Sequence, residues 1–310
     1  MKQNHVKRVR DLVDGVLLLD KPVGLSSNDA LIKAKRVLNA KKAGHTGTLD
    51  PFATGLLPLC FGEATKFSQD LLEADKTYDT TVHLGITTNT GDTEGEAIAT
   101  REVDVTREQI EAVLAQFRGP IMQVPPMYSA LKRDGKAYYE YAREGIVLER
   151  EARPVTIHKL DFISYEAPFL KLSVCCSKGT YIRVLGEDIG NALGCGAHLN
   201  ALRRTQVGAL TADGMLTLEQ LQAHPTPLAT LAPVDALLSS FPAVMLTEEL
   251  AKRFLQGQRL ALGKEAVAVP PTLGRVRVYH EARLLGTALL QEFAVLAPER
   301  LIAFRQPPEA

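Results

Sequence analysis

Gly44-His45-Thr46-Gly47-Thr48-Leu49-Asp50-Pro51-Phe52-Ala53-Thr54-Gly55 places three glycines, three threonines, a proline and a single carboxylate within twelve residues. Glycine supplies turn conformations closed to other residues, proline fixes its own φ, and Thr and Asp side chains satisfy nearby backbone groups. The stretch therefore reads as a tight loop held by backbone constraint. Asp50 sits between Leu49 and Pro51, which reduces its access to water. A rigidly held, partly desolvated carboxylate serves as a nucleophile or general base, or else caps the next segment. Upstream lies a basic stretch (Lys33, Lys35, Arg36, Lys41, Lys42), and downstream the apolar strand Leu56-Leu57-Pro58-Leu59.

Two further clusters carry chemistry. Ser177-Lys178-Gly179-Thr180-Tyr181-Ile182-Arg183 follows a strand and opens a helix whose apolar stripe is Ile182, Leu185, Ile189 and Leu193, stopped by Gly194. An Arg183 guanidinium near Asp50 would favour the ionised carboxylate. Gln123-Val124-Pro125-Pro126-Met127-Tyr128-Ser129-Ala130-Leu131-Lys132, continuing to Arg143, interleaves cations with tyrosines. That composition suits looped nucleic acid, with rings stacking on bases and lysines meeting phosphates, although a solvated helix face looks similar. Arg203-Arg204 reads as another local positive spot.

The remaining chain frames these clusters. At 310 residues, with 45% apolar and 23% charged residues, it fits about two ordinary domains. Lys+Arg and Asp+Glu both number 36, which argues against binding by bulk charge alone. The N-terminal cations Lys2, Lys7, Arg8 and Arg10 precede an apolar run, Gly15-Val16-Leu17-Leu18-Leu19, too short for a secretory leader. It reads as a buried strand. With no membrane-length apolar stretch, a soluble, cytoplasmic protein is expected. The four cysteines suit a reducing compartment, and Cys195 with His198 reads as buried side chains rather than zinc ligands. No phosphate-cradling motif is present.

Strands are expected from the alternation in residues 78–84, 155–162 and 169–174. A helix capped by Thr106, with Gln109 at its third position, lies between them. These imply an α+β domain with a mixed, largely antiparallel central sheet and flanking helices. No Lys or Arg occurs between Thr205 and Ala251, and prolines punctuate that stretch. A boundary is placed near Leu246. Beyond it, Thr247 caps a helix stopped by Gly257, and 267–269, 276–279 and 288–290 read as strands of a small β module.

The clusters, in this order, resemble the tRNA pseudouridine synthase B (TruB) family. The resemblance begins at Lys21-Pro22-Val23-Gly24-Leu25-Ser26-Ser27 and includes the loop 44–55, the Pro125–Ala130 segment and Gly179-Thr180-Tyr181-Ile182-Arg183. It closes at Gly196-Ala197-His198-Leu199-Asn200-Ala201-Leu202-Arg203-Arg204. It implies a pseudouridine synthase domain over residues 1–246, with an RNA-contacting insertion at about 120–153, and a PUA-like β-barrel module over 247–310. It implies isomerisation of the T-loop uridine at tRNA position 55, with tRNA as partner, no cofactor and no metal; zero net charge and no long exposed apolar helix make a monomer the simplest expectation. Asp50 would be the nucleophile, attacking ribose C1′ or uracil C6, with Arg183 paired to it. Tyr78 would stack on the uracil and help move the C5 proton. Tyr181 and Leu202 would line the pocket, His45 would fill space in the T-loop, and Lys21 and Lys66 would make supporting contacts. An RNA-binding or tRNA-folding helper is the alternative.

Overall fold

The computed structural model describes residues 9–265 and 267–303. The cations Lys2, Lys7 and Arg8 and the last seven residues of the expected terminal module lie outside the described residues.

Local sequence sets the elements. The β-branched and apolar alternation after Asp75 forms the strand Lys76–Leu84, whose alternate residues are buried. The continuous apolar run becomes Thr54–Phe61, buried on both faces along nearly its whole length. Thr106 caps the helix Arg107–Gln116 through a reciprocal bond with Gln109. The stripe found in the sequence packs the helix Ile182–Ala192 onto the sheet through Ile182, Leu185 and Ile189.

Among the described residues the central sheet has nine strands. Its main path runs Gly15–Lys21, Thr54–Phe61, Ala197–Val207, Lys76–Leu84, Phe169–Cys176, Arg153–Glu166, Gly119–Gln123. Only Thr54–Phe61 against Ala197–Val207 is parallel along that path; the other neighbours are antiparallel. The sheet is thus mixed and largely antiparallel. Because Gly119–Gln123 and Arg153–Glu166 are both sheet strands, the inserted segment proper spans residues 124–152. It carries a short hairpin, Lys132–Arg133 with Lys136–Ala137, and the helix Tyr138–Arg143.

A second, five-stranded sheet begins at Ala243–Met245, which runs parallel to Gly274–His280 and buries Val244 in its own core. That strand lies just ahead of Leu246. The Thr247 cap and the helix Glu248–Leu255 stand as read from the sequence. Residues 267–269 do not form the expected strand. They run into Pro270-Pro271, which have no N–H to give a ladder. The sheet is completed instead by Leu260–Ala261, Arg283–Gln291 and Val295–Leu301.

Candidate active site

Asp50 reaches its position because the loop around it is stapled from beneath. The Ser27 hydroxyl donates to the Leu49 carbonyl at 3.0 Å and accepts from the Leu49 N–H at 2.7 Å. The Lys21 ammonium, fully buried, donates to the carbonyls of Pro22, Leu25 and Pro51 at 2.8, 2.6 and 3.3 Å. Gly55, at φ +97°, leaves room for the neighbouring strand, since a Cβ there would lie 2.3 Å from the Arg204 carbonyl oxygen.

Above this staple Asp50 opens into a cleft, its side chain 37% exposed, while that of Arg183 is 4% exposed. The Arg183 Nε lies 2.9 Å from the Asp50 carboxylate and 3.6 Å from that of Asp92. Its other nitrogens donate to the carbonyls of Thr90 (2.8 Å) and Tyr128 (2.5 Å). One guanidinium thus ties three loops to the start of a helix. Asp92 is itself held by the Thr90 hydroxyl at 2.6 Å and the Glu94 N–H at 3.0 Å.

The sequence suggested that Arg183 draws the Asp50 pKa down. The net direction is the opposite. Burial raises it above the ordinary Asp range, Arg183 opposes that rise, and Asp92 adds to it.

The cleft has two lobes that meet at Asp50 and Arg183. One, about 600 Å³, is lined by Lys76, Tyr78, Tyr181, Leu202 and Arg204. The other, about 900 Å³, is lined by His45, Thr48, Glu94, Tyr128, Tyr139 and Arg143. Tyr78 is buried, and burial pushes its phenol up. Gln123 fixes the Tyr181 backbone, accepting from its N–H at 2.8 Å and donating to its carbonyl at 3.1 Å. Burial and the Arg204 charge lower the His45 pKa, so the imidazole is neutral at neutral pH.

Two lysines sit differently from the sequence reading. Lys66 lies outside the cleft, donating to Glu63 at 2.6 Å and to the Leu301 carbonyl of the second sheet at 2.8 Å. It is a contact between the two parts of the chain, because the turn Gly62–Lys66 faces the last strand rather than the loop 44–55. Lys21 lies below the loop, with its ammonium consumed by carbonyls. Burial lowers its pKa to about 8 despite the Asp50 charge.

Arg203-Arg204 is not a surface positive spot. Arg203 forks onto Asp20 at 3.0 and 2.8 Å, and Arg204 is 1% exposed beneath the pocket. Arg204 and Asp92 were missed as site residues. Strand alternation from Leu202 marks Arg204 as inward-facing, whereas nothing local marks Asp92 beyond its glycine-flanked turn. Cys195 is buried near the Gly190 carbonyl, and the His198 Nδ1 lies 2.8 Å from that of Ile86. Among the described residues no group of three or more His, Cys, Asp or Glu side chains is arranged to hold a metal.

Three consecutive family models cover this arrangement. Residues 35–182 match the N-terminal domain of TruB family pseudouridylate synthase, 183–239 the tRNA pseudouridylate synthase B C-terminal domain, and 242–302 the C-terminal region of pseudouridine synthase II TruB. The chain belongs to the TruB family of pseudouridine synthases, which are isomerases, and has their fold, with a PUA-like terminal half-barrel. It is 62% identical over 301 residues to a protein of Burkholderia mallei (strain ATCC 23344) named tRNA pseudouridine synthase B, covering 96% of each chain. A protein of the same name from Ralstonia nicotianae is 61% identical over 309 residues, covering 96% of this chain and 97% of the relative. Among solved structures it is similar to a chain in the Cbf5-Nop10-Gar1 complex, with TM-score 0.74, 26% identity, and 94% and 85% coverage of the two chains. It is likewise similar to a chain of an H/ACA RNP bound to a substrate RNA containing 2′-deoxyuridine, at TM-score 0.74, 25% identity, and 95% and 86% coverage. No helix among the described residues is long and apolar enough to cross a membrane.

Proposed function

We propose that this protein converts the T-loop uridine at position 55 of tRNA to pseudouridine, with Asp50 as nucleophile. The observation that carries the reading is the Asp50 carboxylate held 2.9 Å from the buried Arg183 at the floor of a cleft large enough for a nucleotide. The tRNA substrate rests on the names of the relatives.

Asp50 attacks the target nucleotide, and the bond between the sugar and the pyrimidine N1 opens. The base turns and rejoins C1′ through C5, the bond to Asp50 breaks to return the carboxylate, and N1 ends by taking a proton from water in place of the one lost from C5. The C5–H bond then breaks, and its electron pair restores the C5=C6 double bond. No electrons are gained or lost overall. Arg183 orients the carboxylate through Nε, with its planar guanidinium fixed by two main-chain carbonyls, a geometry that a point charge does not reproduce. Tyr78 stacks on the base and handles the C5 proton, while Tyr181 and Leu202 close the pocket around it. The neutral His45 packs where the extruded base leaves space. Extruding a base costs a few kcal/mol, least in a loop where pairing is already absent. Lys21 acts indirectly, by fixing the loop that holds Asp50. The body up to about Leu246 is assigned the chemistry. The module beyond it, together with residues 124–152, is assigned RNA contact. A monomer working in the cytoplasm fits a tRNA substrate.

The test uses an unmodified T-arm stem-loop and maps the modified uridine. The parent enzyme should place one pseudouridine at the T-loop position. Asp50→Asn should lose more than about 10³-fold in rate while still binding RNA. Full activity in that variant would overturn the assignment, and a modified uridine elsewhere would overturn the site.

A further inference from the structure

Arg204 is among the largest fully buried side chains, and no carboxylate pairs with it among the described residues. Its Nε donates to the Leu56 carbonyl at 2.8 Å and one Nη to the Gly47 carbonyl at 3.2 Å. Carbonyl dipoles leave the full positive charge uncompensated, an arrangement that opposes folding. Such a cation persists where a negative charge appears during function.

The geometry indicates where that charge forms. Arg204 pairs directly across the strands with Tyr78, so their side chains share a face, and both line the smaller lobe. Cys176 from the adjacent strand and Asp50 from the loop both disfavour a phenolate, and Lys76, two positions back on the same strand, and Tyr181 line the same lobe. Burial drives the Cys176 thiol to about 12, so it stays neutral. Of these groups, Arg204 is the one that lowers the phenol's pKa against burial.

We propose that Arg204 is a positioning residue for proton removal: it aims the Tyr78 phenol into the pocket and stabilises its phenolate. This rests on the functional reading above. In the step, the C5–H bond of the rejoined base breaks, and the proton passes to the phenolate oxygen. The C–H electron pair re-forms the C5=C6 bond, and the resulting phenol later returns its proton to water.

The experiment is single-turnover kinetics on a T-arm stem-loop carrying either uridine or C5-deuterated uridine at the target. Arg204→Gln should slow the reaction by about 10²-fold. Its C5 isotope effect should exceed that of the parent, and its rate should keep rising to higher pH. Arg204→Lys, which retains the charge, should fall between the two. As a second measurement that leaves Arg204 in place, 3-fluorotyrosine at position 78 lowers the phenol's pKa and should move the rate–pH profile towards acid. A uniformly slower Gln variant with the parent's isotope effect and a parallel pH profile would overturn the proposal, as would a fluorotyrosine enzyme with an unshifted profile. If the parent makes no pseudouridine, the functional reading falls and takes this proposal with it. Normal parental product with unresponsive variants would overturn this proposal alone.

Discussion

The Asp50 carboxyl is pulled two ways, and the sign of the result can be measured. Burial and Asp92 raise its pKa, and the adjacent Arg183 lowers it, with burial prevailing. A raised carboxyl opposes folding once ionised: the penalty is absent below the unfolded-state value and is complete above the folded one. Asp50→Asn should therefore melt higher than the parent at neutral pH, with the gain vanishing in acid below the ordinary Asp range. Thermal melts across pH check this. For catalysis the sign reverses, since the attacking form is the ionised one. The acid limb of kcat/KM should lie above the usual Asp value, and Asp92→Asn, which removes a raising charge, should shift it to lower pH. Arg183→Lys should reduce kcat by about 10²-fold, because a single ammonium cannot hold Asp50 as Nε does while also keeping the two carbonyl contacts of the Nη atoms. A rate within a factor of a few of the parent's would show the planar guanidinium to be dispensable. Asp50 and Arg183 were legible in the sequence because turn residues and a helix start advertise themselves locally. Arg204 was legible only in part: alternation from Leu202 turns it inward, but the carbonyls that hold it, of Leu56 and Gly47, lie some 150 positions away.

Arg183 is carried by a helix that presses unusually close to the sheet. A Cβ on Gly190 would lie 2.4 Å from the Ala197 Cβ and 2.5 Å from its nitrogen, and one on Gly186 would lie 2.7 Å from the Leu199 side chain. Gly190→Ala should therefore destabilise the fold by about 1–3 kcal/mol despite the better helix propensity of alanine. Denaturant titration checks the sign; a stabilised variant would mean that the helix sits further out. The stripe and stop of this helix were readable from spacing, as were the Thr106 and Thr247 caps, because helical period and capping are local. Close approach is not local, so Gly186 and Gly190 gave no signal. The 267–269 run shows the opposite failure. Three alternating residues satisfy a strand pattern, but the prolines after them leave no ladder to join.

At the scale of the molecule, the second sheet is clamped to the first body by polar contacts around one short turn and helix. Arg275 bridges Glu299 at 2.7 Å and also Asp70, whose side chain is 6% exposed. Glu63 accepts from Lys66 at 2.6 Å and from the Ala303 N–H at 2.8 Å, and the Tyr279 hydroxyl donates to Asp235 at 2.7 Å. Leu284 and Ile302 pack against the apolar cluster beneath. Arg275→Ala strands a buried carboxylate and should lower stability by about 1–3 kcal/mol. Limited proteolysis should then cut more readily near residues 239–247. Unchanged melting and digestion would show that the apolar contact alone holds the module.

The four-way grip of Arg183 has a consequence for how this architecture tolerates change over time. Two of its holds are main-chain oxygens, at Thr90 and Tyr128, which any amino acid supplies equally well. Replacing the residue at either position leaves that oxygen available, although Thr90 also holds Asp92 through its hydroxyl, whereas adding or removing a single residue nearby carries the oxygen away from the guanidinium. Divergence in these segments is thus more open in letters than in length, Asp92 and the Thr90 hydroxyl that holds it excepted, so loops transplanted between relatives should work when they match in span and keep those two residues.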